Sequence, residues 1–221
     1  MRKSGCPSQP DGPPATRRLG RPRAFDREAA LAQATRLFWS KGYEATSIAE
    51  LTAAMGIGSP SLYAAFGSKE ALYAEALRHY GEACEALVWD GFRAAETARE
   101  AVRAYLLDSA AALTGCRADN PLGCMVTLSS VGSEGHSELG ELVRSARAVT
   151  LDRLEERLGR AVAEDELPAS TDVRALSRFL QTVQSGMSIL ARDGASRAEL
   201  EAVAETAMLR WDACADDRGP T

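Results

Sequence analysis

Histidine is scarce: the 221 residues include two, His79 and His136, far apart and with no cysteine or carboxylate at ligand spacing. That leaves little material for a metal site or a histidine-based catalytic triad. Five cysteines, Cys6, Cys84, Cys116, Cys124 and Cys214, form no C-x-x-C pair and are odd in number, which argues against a disulfide framework. No apolar run reaches the length of a membrane span, and the N-terminus lacks the apolar core of a secretory signal. G-x-S-x-G and the P-loop are missing. Gly56-Ile57-Gly58 has neither the third glycine nor the flanking strand of a dinucleotide fingerprint. No enzyme reading, cofactor or metal gains support, and the cytoplasm is the expected compartment.

What is present is helical periodicity and an uneven distribution of charge. Residues 1–80 carry 11 basic and 7 acidic side chains, whereas the remainder carries 15 and 24, within a formal net charge of −5. A basic front on an acidic body suits a molecule of which one end meets phosphates. Residues 1–23 are rich in Pro, Gly and Ser and read as a disordered basic arm. Within it Gly20-Arg21-Pro22-Arg23 is similar to an AT-hook core, which lays arginines such as Arg21 and Arg23 into a narrow minor groove. The arm reads equally well as a solvated tail that touches nothing.

From Asp26 to Lys69 three short helices follow one another, each with its own start and stop signals. Asp26 caps the first, which closes at Gly42, with Ala30, Ala34, Leu37 and Phe38 on one face. The second starts at Thr46 or Ser47, where Ser47 and Glu50 have the spacing of a capping box, and buries Ile48, Leu51 and Met55. Gly56 supplies the positive φ of a sharp turn. Pro60 suits the first turn of the third helix, Leu62 and Phe66 point inward, Gly67 ends it and Ser68 caps the next.

The run F-x-x-K-G-Y-x-x-T-S-I-x-x-L followed by G-I-G-S-P-S-L-Y-A-A-F-G-S-K-E-A-L resembles the N-terminal domain of TetR-type, tetracycline-repressor-like transcriptional regulators, from about Phe25 to Leu77. The resemblance implies an all-α fold: an N-terminal three-helix helix-turn-helix domain followed by a helical ligand-binding and dimerisation domain. The corresponding division is 1–23 arm, 24–69 DNA-binding domain, 70–215 ligand-binding and dimerisation domain, and 216–221 disordered tail. It implies a double-stranded DNA operator, a small-molecule effector and a homodimer as partners, and no membrane.

Hydroxyls at Thr46 and Ser47 fall at a helix N-terminus, where a phosphate is favoured. Ser59, Pro60, Ser61 and Ala64 belong to the third helix, which should approach base edges in the major groove. Tyr63 and Lys69 look like the family's phosphate-contacting tyrosine and the lysine that opens its fourth helix. Ala64 and Ala65 stand where many relatives carry hydrogen-bonding side chains, so direct base readout should be sparse and DNA shape should contribute more.

Beyond Ser68 the pattern stays helical. A long fourth helix is expected from Lys69, and further helices over 96–113, 121–131, 136–163, 172–192 and 197–213. Leu176, Leu180, Val183, Met187 and Leu190 in the penultimate helix, with Val203, Ala207 and Trp211 in the last, are the expected dimer interface, a four-helix bundle across a two-fold axis. Burial against the same chain's core is the competing account. Trp89, Phe92, Tyr105, Leu122, Cys124, Met125, Leu128 and Phe179 mix apolar bulk with polar tips and are the expected ligand-cavity residues. Cys116 and Cys124 fit either a thiol sensor or buried small hydrophobes. The reading is a repressor released from a pseudo-palindromic operator by an inducer. The alternative is a small-molecule or thiol-redox sensing helical protein that acts as an activator or retains a vestigial reader.

Overall fold

The structure, a computed structural model, describes residues 25–115 and 120–216, apart from the side chains of 133, 134, 210 and 212–216. Eight α-helices appear among them: α1 (Arg27–Lys41), α2 (Ile48–Met55), α3 (Ser59–Phe66), α4 (Lys69–Ala94), α5 (Ala98–Leu113), α6 (Ser137–Ala163), α7 (Val173–Arg192) and α8 (Arg197–Asp216), with a 3-10 turn over Val131–Glu134. No strand occurs among the described residues, and no helix there is long and apolar enough to cross a membrane.

The expected caps are in place. Asp26 accepts from the Ala29 amide, Ser68 from that of Ala71, and Ser47 and Glu50 close a reciprocal capping box. Each such cap satisfies amides that the first helical turn leaves free and contributes about 1 kcal/mol. The Lys41 ammonium, followed by hydrogen bonds from Ser47, holds the Glu50 carboxyl down at about 2, so this box stays ionised well into acid. Gly56 adopts φ 67° and ψ 31°, the left-handed conformation that turns the chain between α2 and α3.

Two apolar clusters share α4. Its first half delivers Leu72, Tyr73, Ala76, Leu77 and Tyr80 to the core under α1 to α3, and its second half delivers Trp89 and Phe92 to the core formed with α5 to α8. The reader core also takes Met125, Val131, Leu139 and Val143 from the body. The helix α4 is therefore continuous through both cores.

One expected helix is not formed. Residues 121–131 are a succession of turns leading into the 3-10 turn. Gly123, at φ +75°, breaks the helical path, and the loop's backbone groups find tertiary partners instead. The Gly123 amide donates to the Leu113 carbonyl at 2.8 Å, its carbonyl accepts from Trp39 Nε1 at 3.0 Å, and the Cys124 amide donates to Ser188 Oγ at 2.8 Å. The contact is close: a Cβ on Gly123 would lie 2.6 Å from Leu128 Cδ1 and 2.8 Å from the Ser188 carbonyl oxygen.

Candidate nucleic-acid interface and ligand cavity

The helix α3 is amphipathic over two turns. Leu62 and Phe66 are buried beneath it, while Ser59, Pro60, Ser61, Tyr63 and Ala64 face outward. Burying two such side chains stabilises the unit by roughly 1.5–3 kcal/mol each, which fixes the orientation of the outer face. Gly58 rather than Ser59 is the N-cap, so the Ser59 hydroxyl is not needed to cap the helix. Tyr63 is 48% exposed at the middle of this face. Ser47 is exposed at the start of α2, engaged with Glu50.

Lys69, the first residue of α4, lays its ammonium 4.1 Å from the centroid of the Tyr43 ring. The Tyr43 hydroxyl donates to Glu70 at 2.9 Å, and burial, followed by this carboxylate, raises its pKa above the ordinary tyrosine value. His136, at the N-terminus of α6, packs on the same ring and reaches Glu44 at 2.6 Å. His79 faces Thr35 within the reader at 3.3 Å.

Thr46 departs from expectation. It is fully buried, and its hydroxyl donates to the Gly42 carbonyl at 2.6 Å. It staples the α1–α2 turn and is not available to a phosphate. Arg21 and Arg23 lie outside the described residues.

In the body, a cavity of about 720 Å³ opens between α4, α5, α6, α7 and the 120–128 loop. Of the expected residues, Trp89, Tyr105 and Cys124 line it. The other five do not. Phe92 and Met125 are core residues, Leu122 faces solvent, Leu128 packs by Gly123, and Phe179 lies on the outer side of α7. The wall also contains side chains that the sequence did not single out, including Trp39, Tyr80, Cys84, Ser109, Arg147 and Gln181. For Tyr80, Cys84, Arg147 and Gln181 the signal was present only as a stripe along α4 and as scattered polar residues on α6 and α7; Trp39 and Ser109 carried none. The Cys124 thiol accepts from the Tyr80 hydroxyl at 3.1 Å and from the Thr127 amide at 3.4 Å. Burial pushes the nearby Cys84 thiol up to about 11. Cys116 lies outside the described residues.

The expected dimer residues divide. Leu176, Leu180, Met187, Ala207 and Trp211 are buried in their own chain's core, packed with α5, so they are not free to face a second copy. Val183 is half-buried against that core, and Leu190 and Val203 are exposed. The outer sides of α7 and α8 instead present Phe179, Ile189, Leu190, Val203 and Leu209. Periodicity located the apolar stripe on each helix, but which partner covers it is a tertiary matter.

Two short helices set by a left-handed glycine turn, with the second helix bared on one side and a helical body behind it, define a helix-turn-helix transcriptional regulator. Residues 30–76 match the family described as bacterial regulatory proteins, tetR family. The HTH-type transcriptional repressor ComR of Escherichia coli (strain K12) is 37% identical over 200 residues, covering 87% of this chain and 91% of that protein. The HTH-type transcriptional repressor BdcR of the same organism is 32% identical over 198 residues, covering 85% and 90%. A cysteine mutant of the TetR family regulator CifR, solved in complex with a 26 bp double-strand operator DNA, superposes with a TM-score of 0.80 at 40% identity, covering 86% of this chain and 98% of that one. The chain belongs to the tetR family of bacterial regulatory proteins.

Proposed function

We propose that the protein is a homodimeric repressor acting in the cytoplasm, released from a pseudo-palindromic operator when a small molecule occupies the body cavity, and with no chemistry of its own. The observation that carries this reading is the position of Trp39. It belongs to α1 of the reader, lines the cavity, and donates from its indole to the Gly123 carbonyl of the cavity loop. An occupant would therefore touch a reader helix directly. Arg192 at the end of α7 ties the same parts together, donating to the Leu122, Ser40 and Trp39 carbonyls at 2.9, 3.2 and 2.9 Å. An effector that binds better when this loop is displaced shifts the reader by its differential affinity, typically ~1–3 kcal/mol.

In this reading Ser47, Ser59, Pro60, Ser61, Tyr63, Ala64 and Lys69 form the DNA face. The relatives are named as repressors, which supports that sign of regulation. Titrating DNA from upstream of its own coding sequence in a gel shift tests the proposal. A specific complex is expected whose affinity falls steeply as salt rises, because phosphate neutralisation releases counterions. Absence of any complex at low salt would leave only a small-molecule sensor with a vestigial reader.

The outer faces of α7 and α8 are the proposed dimer surface, replacing the buried residues above. Leu190→Arg combined with Leu209→Arg changes two side chains that are 45% and 68% exposed in the protomer, so the fold should persist. Analytical ultracentrifugation should show a monomer. DNA binding should fall by about a hundredfold or more, since one recognition helix alone has little surface to hold. A stable dimer in this variant would place the interface elsewhere.

A further inference from the structure

The cavity has two ends of different chemistry. Tyr105 and Ser109 are one turn apart on α5, both 1% exposed, and neither side-chain hydroxyl finds a hydrogen-bond partner among the described residues. Buried polar groups are otherwise nearly always paired, because desolvation without a replacement bond is unfavourable. Two on one helix face, opening into one cavity, mark a place where a ligand's polar atom belongs. Burial raises the Tyr105 pKa, so that phenol stays neutral.

The rim is the opposite. Arg144, Arg147, Arg153 and Arg178 line the cavity against a single carboxylate, Glu85, among the described residues. Arg153 pairs with Glu85 at 3.0 Å and covers the Trp89 ring, whose other neighbours include the stacked Tyr105. Arg144 is 58% exposed and among the described residues pairs with Glu141 of its own helix, and Arg178 donates to Gln181. Between the two ends Leu87, Val88, Trp89 and Leu151 supply apolar wall.

We infer that the effector is an elongated organic anion: a carboxylate-type head at the arginine rim, an apolar body along Trp89, and a neutral hydroxyl or carbonyl reaching Tyr105 and Ser109. This rests on the effector reading above and gives it a ligand class. A volume of about 720 Å³ suits a molecule of this size rather than an inorganic ion.

Tryptophan fluorescence, with Trp39 and Trp89 in the cavity wall as reporters, tests the assignment by titrating the full chain with 12-hydroxydodecanoate, dodecanoate and 1,12-dodecanediol. The hydroxy acid is expected to bind about tenfold more tightly than either comparison, the scale of one added polar interaction. Tyr105→Phe with Ser109→Ala should erase its advantage over dodecanoate while dodecanoate still binds. Arg144→Ala with Arg178→Ala should erase its advantage over the diol. Equal binding by all three, or no binding of the hydroxy acid to protein that still holds its upstream DNA, overturns the ligand class. Binding in the expected order without any change in DNA affinity leaves the site standing and sinks the effector reading instead.

Discussion

Ser61→Glu is expected to weaken binding to the protein's upstream DNA by roughly a hundredfold or more near 0.1 M salt, with thermal stability unchanged or slightly raised. The two effects separate because Ser61 has two roles in space. It is the third residue of α3, after Ser59 and Pro60, and its side chain is exposed. A carboxylate in the first turn of a helix meets the positive end of the dipole and free amides, which stabilises the helix by about 0.3–1 kcal/mol. The same carboxylate, aimed at a duplex, faces phosphates, and unpaired like charges at an interface cost several kcal/mol, where ~3 kcal/mol is about a hundredfold. Gel-shift titration and a melting curve on one preparation read both. Ser61→Gln, of similar size and without charge, should lose far less. Wild-type affinity in the carboxylate variant would mean that this face of α3 does not meet DNA.

The reader was largely legible because its signals are local. A cap, a turn glycine or an inward Leu62 is dictated within four residues of chain, and Asp26, Ser47, Gly56 and Ser68 all act where the sequence places them. Thr46 was misread for the same locality: a hydroxyl beside an N-cap resembles a cap, and only the fold shows that Gly42 comes back to accept from it. In the body, periodicity identified the apolar side of α7 without revealing that α5 covers it. Cavity residues were hardest, because lining a space depends on what is missing between helices. Trp39, in the reader sequence, and Ser109, in an alanine-rich stretch, carry no signal for it. The 121–131 stretch was expected as helix, although Asn120–Met125 also reads as a break in the helical run that places the Cys124 thiol at the cavity edge, and the break is what forms. Its amides are drawn away by Leu113 and Ser188, and its carbonyl by Trp39, the last two distant in sequence.

The largest loss of stability is expected from Arg157→Ala, about 3–5 kcal/mol in a denaturant titration, although nothing in the local sequence distinguishes Arg157 from the other arginines of α6. Its side chain is only 5% exposed and bonds to the Glu166 carboxylate and the Glu96 carbonyl at 3.3 and 3.1 Å. Glu166 in turn accepts from the amide of Ala98, the first residue of α5. One guanidinium thus joins the α4–α5 junction to the turn that ends α6. Removing it withdraws the charge that compensates a partly buried carboxylate, and breaking such a pair from one side costs more than deleting both sides. Glu166→Gln in the Arg157→Ala background should therefore be less harmful than it is in the native protein. The double-mutant cycle measures that coupling, expected in the range of about 0.5–3 kcal/mol for groups in direct contact. Simple additivity would show that packing of the arginine's methylenes, and not the ion pair, holds this corner of the body.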